Sequence, residues 1–131
     1  MTSPMRIAAA GLIALQSVAL GAATLPIQVG TYVRAGSDCK DPPFAAMMTY
    51  DGKAFADPHS HACRSTIIRQ EGKAYTVQTS CIAAGEGAGP RVTQTERFMI
   101  LSRTRLKALG KTEMGRPDTA VFRRCGAIAR R

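Results

Sequence analysis

The chain's only two histidines stand two residues apart in Asp57-Pro58-His59-Ser60-His61. In an extended segment, residues i and i+2 point to the same side, so His59 and His61 can both reach one metal ion. Asp57, or the thioethers of Met47 and Met48, can add ligands for zinc or copper. The same five residues also read as a polar loop with surface histidines. Alternation along a strand sends one of Met47 and Met48 inward and the other outward. The four cysteines, Cys39, Cys63, Cys81 and Cys125, are 24, 18 and 44 residues apart. No C-x-x-C pair exists for redox exchange or a zinc knuckle. An even number in a short chain reads as two disulfides instead. With both histidines in one loop, the cysteines paired and no G-x-S-x-G, a nucleophile–base constellation is hard to assemble. The chain reads as no enzyme, with no catalytic residue and no cofactor. The run Gly85-Glu86-Gly87-Ala88-Gly89 lacks the G-x-G-x-x-G spacing of a nucleotide loop and leads into a strand, so it reads as a flexible connector.

Charge is distributed unevenly. The chain carries 18 Lys and Arg against 9 Asp and Glu. Residues 24–89 hold six of each sign, whereas residues 90–131 hold eleven basic side chains and three acidic ones. Arg103, Arg105 and Lys107 lie at every second position, and Arg123 and Arg124 follow near the end. On consecutive strands such residues gather on one side and concentrate anions. The expected partner is an anionic envelope component, such as lipid headgroups, lipopolysaccharide phosphates or an acidic polymer, or else another periplasmic protein. A solvated face that keeps a small domain soluble is the alternative. Nucleic acid is not expected, because few aromatics stand near the basic residues for bases to stack on.

The elements that must position these residues read as β. Residues 30–35 form a short strand ended by Gly36-Ser37-Asp38. Residues 44–50 and 53–55 read as a hairpin about Asp51-Gly52, a pair suited to a type I′ turn. A second hairpin covers about 62–81, residues 91–101 a long strand and 119–125 the last one, after a polar loop at 110–118. Residues 102–110 fit a helix capped by Ser102 and stopped by Gly110. They also fit a strand with Arg103, Arg105 and Lys107 outward and Thr104, Leu106 and Ala108 inward, and the β neighbours favour the strand. Seven or eight short antiparallel strands predict an all-β fold, a small antiparallel barrel or sandwich stapled by disulfides.

Four cysteines allow three connectivities. A turn centred on Gly72 sets Ile67 opposite Val77, Ser65 opposite Thr79 and Cys63 opposite Cys81, close enough to bridge. That favours Cys63–Cys81 with Cys39–Cys125. A two-residue turn shifts the register and removes the pairing.

Residues 1–23 run from Arg6 through an apolar stretch to small residues at 21 and 23, the order of a secretory signal peptide. The apolar stretch falls short of the roughly 20 residues that span a bilayer. The expectation is a single β domain at 24–131, periplasmic or secreted, with no transmembrane segment.

The run Gly30-Thr31-Tyr32-Val33-Arg34-Ala35, the Tyr50-Asp51-Gly52 turn and the cysteine spacing resemble a group of small exported four-cysteine bacterial proteins of unknown function. That resemblance implies a small all-β periplasmic domain and transfers no activity. The plan is also similar to the periplasmic lysozyme inhibitors, eight-stranded barrels whose Ser-Gly-x-x-Tyr inhibitory loop does not occur here. Three functions follow as expectations. They are a non-catalytic binding domain with a basic C-terminal face, a metal-binding protein using His59 and His61, and a hydrolase-inhibitor-like module.

Overall fold

A computed structural model describes residues 24–83, 89–111 and 114–129. The signal-peptide expectation at 1–23 lies outside the described residues, as does the glycine-rich connector except for Gly89. Eight strands follow in order: β1 (Gly30–Arg34), β2 (Met47–Tyr50), β3 (Phe55–Ala56), β4 (Ser60–Glu71), β5 (Ala74–Ala83), β6 (Arg91–Ser102), β7 (Arg105–Lys111) and β8 (Pro117–Gly126). All neighbours are antiparallel, in the order β3-β2-β1-β8-β7-β6-β5-β4. The first strand thus pairs with the last, and the sheet curls into a nearly closed barrel. Of residues 102–110, Ser102 ends β6 and 105–110 lie in β7, so the stretch is not a helix; Arg103-Thr104 form the tight β6–β7 turn and Ser102 pairs with Arg105.

Alternation along each strand places the core. Tyr32, Tyr50, Phe55, Val77, Phe98 and Leu106 are almost completely buried. The Tyr50, Phe55 and Phe98 rings stack in series, each centroid 4.9 Å from the next. Residues 25–29 plug one barrel end. Leu25 and Ile27 are buried there, and the Gln28 N–H donates to the Arg103 carbonyl at 2.7 Å. The Tyr50 hydroxyl accepts the Leu25 N–H at 2.8 Å, and the Tyr32 hydroxyl donates to the Gln28 carbonyl at 2.6 Å. Burial pushes both phenols above their ordinary range, so they remain protonated. β1 runs so close to β8 that a Cβ on Gly30 would collide with the Gly126 carbonyl, which only glycine avoids.

Two disulfides form, Cys63–Cys81 and Cys39–Cys125. The first is reached by a different route from a turn centred on Gly72. The turn is the two-residue Gly72-Lys73, with Glu71 opposite Ala74. A bulge at Ile68 then restores Ile67 opposite Val77 and Ser65 opposite Thr79. A second irregularity at Ala62 and Cys63, with Ala62 at φ 49°, carries Cys63 to a Cα distance of 4.1 Å from Cys81. The Arg91 guanidinium ties that bulge down, donating to the Ala62 and Ser80 carbonyls at 3.1 and 3.0 Å.

The expected Asp51-Gly52 hairpin is shorter and looser than a type I′ turn. Residues 44–46 form a single 3₁₀ turn, and β2 and β3 pair only at Thr49–Ala56 and Tyr50–Phe55. Four residues connect them. The Asp51 carboxylate accepts the Lys53 and Ala54 N–H groups at 2.8 and 2.7 Å, and Gly52 alone takes a positive φ. Asp51 satisfies the loop's backbone with its own side chain, which removes the need for the primed turn. The polar loop between the last two strands is likewise shorter than 110–118, since Lys111 still pairs with Pro117.

Where β3 meets β4, a side chain closes the barrel. The Ser65 hydroxyl accepts the Phe55 N–H at 3.0 Å and shares a 2.7 Å hydrogen bond with Thr79. Ser65 is buried. Replacing it with Ala strands a buried N–H and a half-buried hydroxyl, so Ser65→Ala is expected to cost about 1–3 kcal/mol by urea unfolding. A change below a few tenths would show that water closes this seam equally well.

Candidate functional site

The basic residues divide between two faces of the barrel. Leu106 and Phe122 face each other across β7 and β8 and point inward, so Arg105, Lys107 and Arg123 point outward. Arg105 lies directly opposite Arg123, Lys107 opposite Val121 on one side and Met99 on the other. Like charges opposed on a sheet destabilise it. Arg123 is held in place all the same. One of its nitrogens donates to the Ser37 carbonyl at 2.9 Å, and the other reaches the Cys39 and Cys125 sulfurs at 2.7 and 3.6 Å. The Cys39–Cys125 disulfide and the strap at 37–39 therefore hold a guanidinium beside Arg105.

Arg103 and Arg124 depart from the expected single cluster. Arg103 sits in the β6–β7 turn rather than on a strand, where its carbonyl anchors the plug. Arg124 pairs opposite the inward Tyr32, and its Nε donates to the Val29 carbonyl at 2.8 Å. It serves the plugged end. The outer basic wall is thus Arg105, Lys107 and the tethered Arg123, with Arg103 at its rim. Among the described residues the salt bridges are Arg69–Glu71 and Arg97–Glu71, and none engages Arg103, Arg105, Lys107, Arg123 or Arg124. Two apolar side chains share this region of β6: Met99 is 36% exposed and Leu101 39%.

The histidine pair is not presented as an extended segment would present it. Residues 57–60 form a turn in which the Ser60 N–H donates to the Asp57 carbonyl at 3.2 Å. The Asp57 carboxylate accepts the His59 N–H at 2.8 Å, and the His59 ring meets Phe44 edge-on at 5.5 Å. His61 lies beyond the turn, in β4 opposite Ile82. Pro58 starts the turn and breaks the i, i+2 alignment. Among the described residues no three His, Cys, Asp or Glu side chains gather as a metal site. Of the two methionines, Met48 packs against the core opposite Tyr32, and Met47 pairs opposite Val33.

Sequence reasoning passed over Glu96. It shares the inward parity of Phe98 and Ile100 and stands opposite the buried Val77. Counting back by two from Phe98 finds it, together with Gln94 and Val92. These residues line the unplugged barrel end with Asp57, Met48 and Phe122. Glu96 is exposed at the barrel mouth, yet partial desolvation by the wall pushes its carboxyl above its ordinary range, and the neighbouring Asp57 charge adds to the effect.

Among the described residues no helix is long and apolar enough to cross a membrane. Comparison with protein-family models, with curated proteins and with solved structures finds no match.

Proposed function

We propose that the protein is a non-catalytic, exported binding domain whose basic outer wall holds an anionic amphiphile of the cell envelope. The observation that carries this reading is the β6–β7–β8 surface. There Arg105 and Lys107 have no counter-ion among the described residues and stand beside a tethered Arg123. A surface kept merely soluble mixes its signs, whereas this one concentrates one sign. The exposed Met99 and Leu101 narrow the anion to one with an apolar part, because a polysaccharide offers nothing to a thioether and a leucine. Export rests on the two disulfides, which suit an oxidising compartment, and on the leader-like order of residues 1–23.

The test is flotation of the oxidised protein with vesicles of anionic or zwitterionic headgroups. Binding is expected on the anionic vesicles alone and should weaken as salt rises, since exposed charge contacts are screened. A basic residue near such a surface contributes about 1 kcal/mol, so Arg105→Gln with Lys107→Gln should weaken binding about thirtyfold. Both side chains lie on the outer wall, and the fold should change by no more than about 0.5 kcal/mol. Equal binding by the double variant, or binding indifferent to headgroup charge, would reduce the wall to solvation.

A further inference from the structure

The unplugged barrel end holds a cavity of about 250 Å³. Side chains from β2, β3, β5, β6 and β8 line it, and it opens at the barrel mouth, where Val92, Gln94 and Glu96 are exposed. Beyond the Phe98–Ala108 pair β6 and β7 part, and Glu96 also borders the gap between them. The cavity is slightly smaller than the roughly 300–1,000 Å³ usual for small-ligand pockets, which limits its occupant to a compact molecule. Its wall is chemically lopsided. Phe55, Phe122 and Met48 supply apolar surface, and among the described residues Asp57 and Glu96 are its charged groups and no Lys, Arg or His lines it. That is unexpected in a chain with a formal charge of +9.

We propose that this cavity is a second binding site, separate from the basic wall, that takes a small organic cation: a protonated amine carried on an apolar body. Glu96 has no hydrogen-bond or ion-pair partner among the described residues, so its carboxylate is available to an ammonium group. Asp57 already accepts one backbone N–H and adds a second negative charge. The Phe55 and Phe122 rings suit the rest of such a ligand, since aromatic faces attract cations as well as apolar groups. The surrounding wall and the Asp57 charge oppose ionisation of Glu96, which an arriving cation would favour. A group that is disfavoured until a cation arrives is a mark of a binding site more than of a scaffold.

The experiment titrates the oxidised protein with 2-phenylethylammonium, with 2-phenylethanol as the neutral analogue, following backbone amide NMR shifts. Saturable shifts are expected at Val92, Gln94 and Phe122, with the alcohol about tenfold weaker. Glu96→Gln should weaken the amine about tenfold and leave the alcohol unchanged. Amine affinity should also fall as pH drops through the raised range of Glu96. Asp57 is the other charged group on the wall among the described residues. Stability moves the opposite way. A carboxyl whose folded range is raised loses stability for the fold as pH climbs through that range. Glu96→Gln should therefore melt higher than the parent at neutral pH, with the gain gone below the ordinary carboxylate range. Equal affinity for amine and alcohol, an unchanged Glu96→Gln variant, or no saturable shift would each overturn the proposal. None of these outcomes bears on vesicle binding by the opposite charge of the outer wall.

Discussion

Removing the Cys39–Cys125 disulfide by Cys39→Ser with Cys125→Ser is expected to lower stability by about 4–5 kcal/mol. The bond closes a loop of 86 residues, whereas Cys63–Cys81 closes one of 18. A cross-link restricts the unfolded chain more when its loop is longer, so the second pair should cost about 3 kcal/mol. Urea midpoints of the two double variants, measured without reductant, give the order directly. The long-range bond also joins the strap at 37–39 to the last strand, next to the contacts that hold Arg123. Its loss should therefore loosen the basic wall as well as the fold. If the 18-residue loop proved the more costly to open, local geometry rather than chain restriction would govern both bonds.

Leu106 provides the sharpest separation of scaffold from surface. It is completely buried, between Arg105 and Lys107 in sequence and opposite Phe122 in the barrel. Leu106→Ala removes buried methyl groups and leaves a cavity that strand backbones cannot collapse to fill, so about 2–5 kcal/mol should be lost. The adjacent Arg105→Gln and Lys107→Gln should cost within about 0.5 kcal/mol. Denaturation midpoints of the three single variants check this. Vesicle binding should follow the reverse pattern: it should persist in Leu106→Ala below its melting point and fall in the two charge variants. A stability loss shared evenly among the three residues would mean that this strand is not packed with 106 inward.

The alternation in Arg105-Leu106-Lys107 was legible because a period of two is local and two charges flank one leucine. Seven or eight antiparallel strands were legible for the same reason, strand by strand, whereas barrel and sandwich stayed open because the β1–β8 pairing that decides between them is long-range. The Cys63–Cys81 pair was legible in outcome but not in route. The two-residue turn at Gly72-Lys73 and the bulge at Ile68 are offsets that cancel, and no local signal reports either. Closure of the barrel through the Ser65 hydroxyl is a contact between distant strands, invisible to any window along the chain. Arg124 was grouped with the wall because neighbouring arginines look alike in sequence. The register shift between Thr31 and Tyr32 and the approach of Val29 place it on the plugged end instead. Glu96 was readable by parity with Phe98 yet was counted only as a charge. An acidic residue at a position of inward parity defies the expectation that such positions are apolar, and such exceptions are where function concentrates.

The most direct measurement places a reporter on the wall. The chain contains no tryptophan, so a single substitution supplies the only indole. Met99→Trp puts it on β6 opposite Lys107, and Phe44→Trp puts it at the exposed 3₁₀ turn that leads into β2, away from β7 in the strand order. On anionic vesicles at low salt, the expected result is a blue-shifted emission for Met99→Trp that lipid-borne quenchers reduce, with Phe44→Trp unchanged. A shift as large at Phe44, or none at Met99 while the protein floats with the vesicles, would contradict the assignment of the basic wall as the contact face.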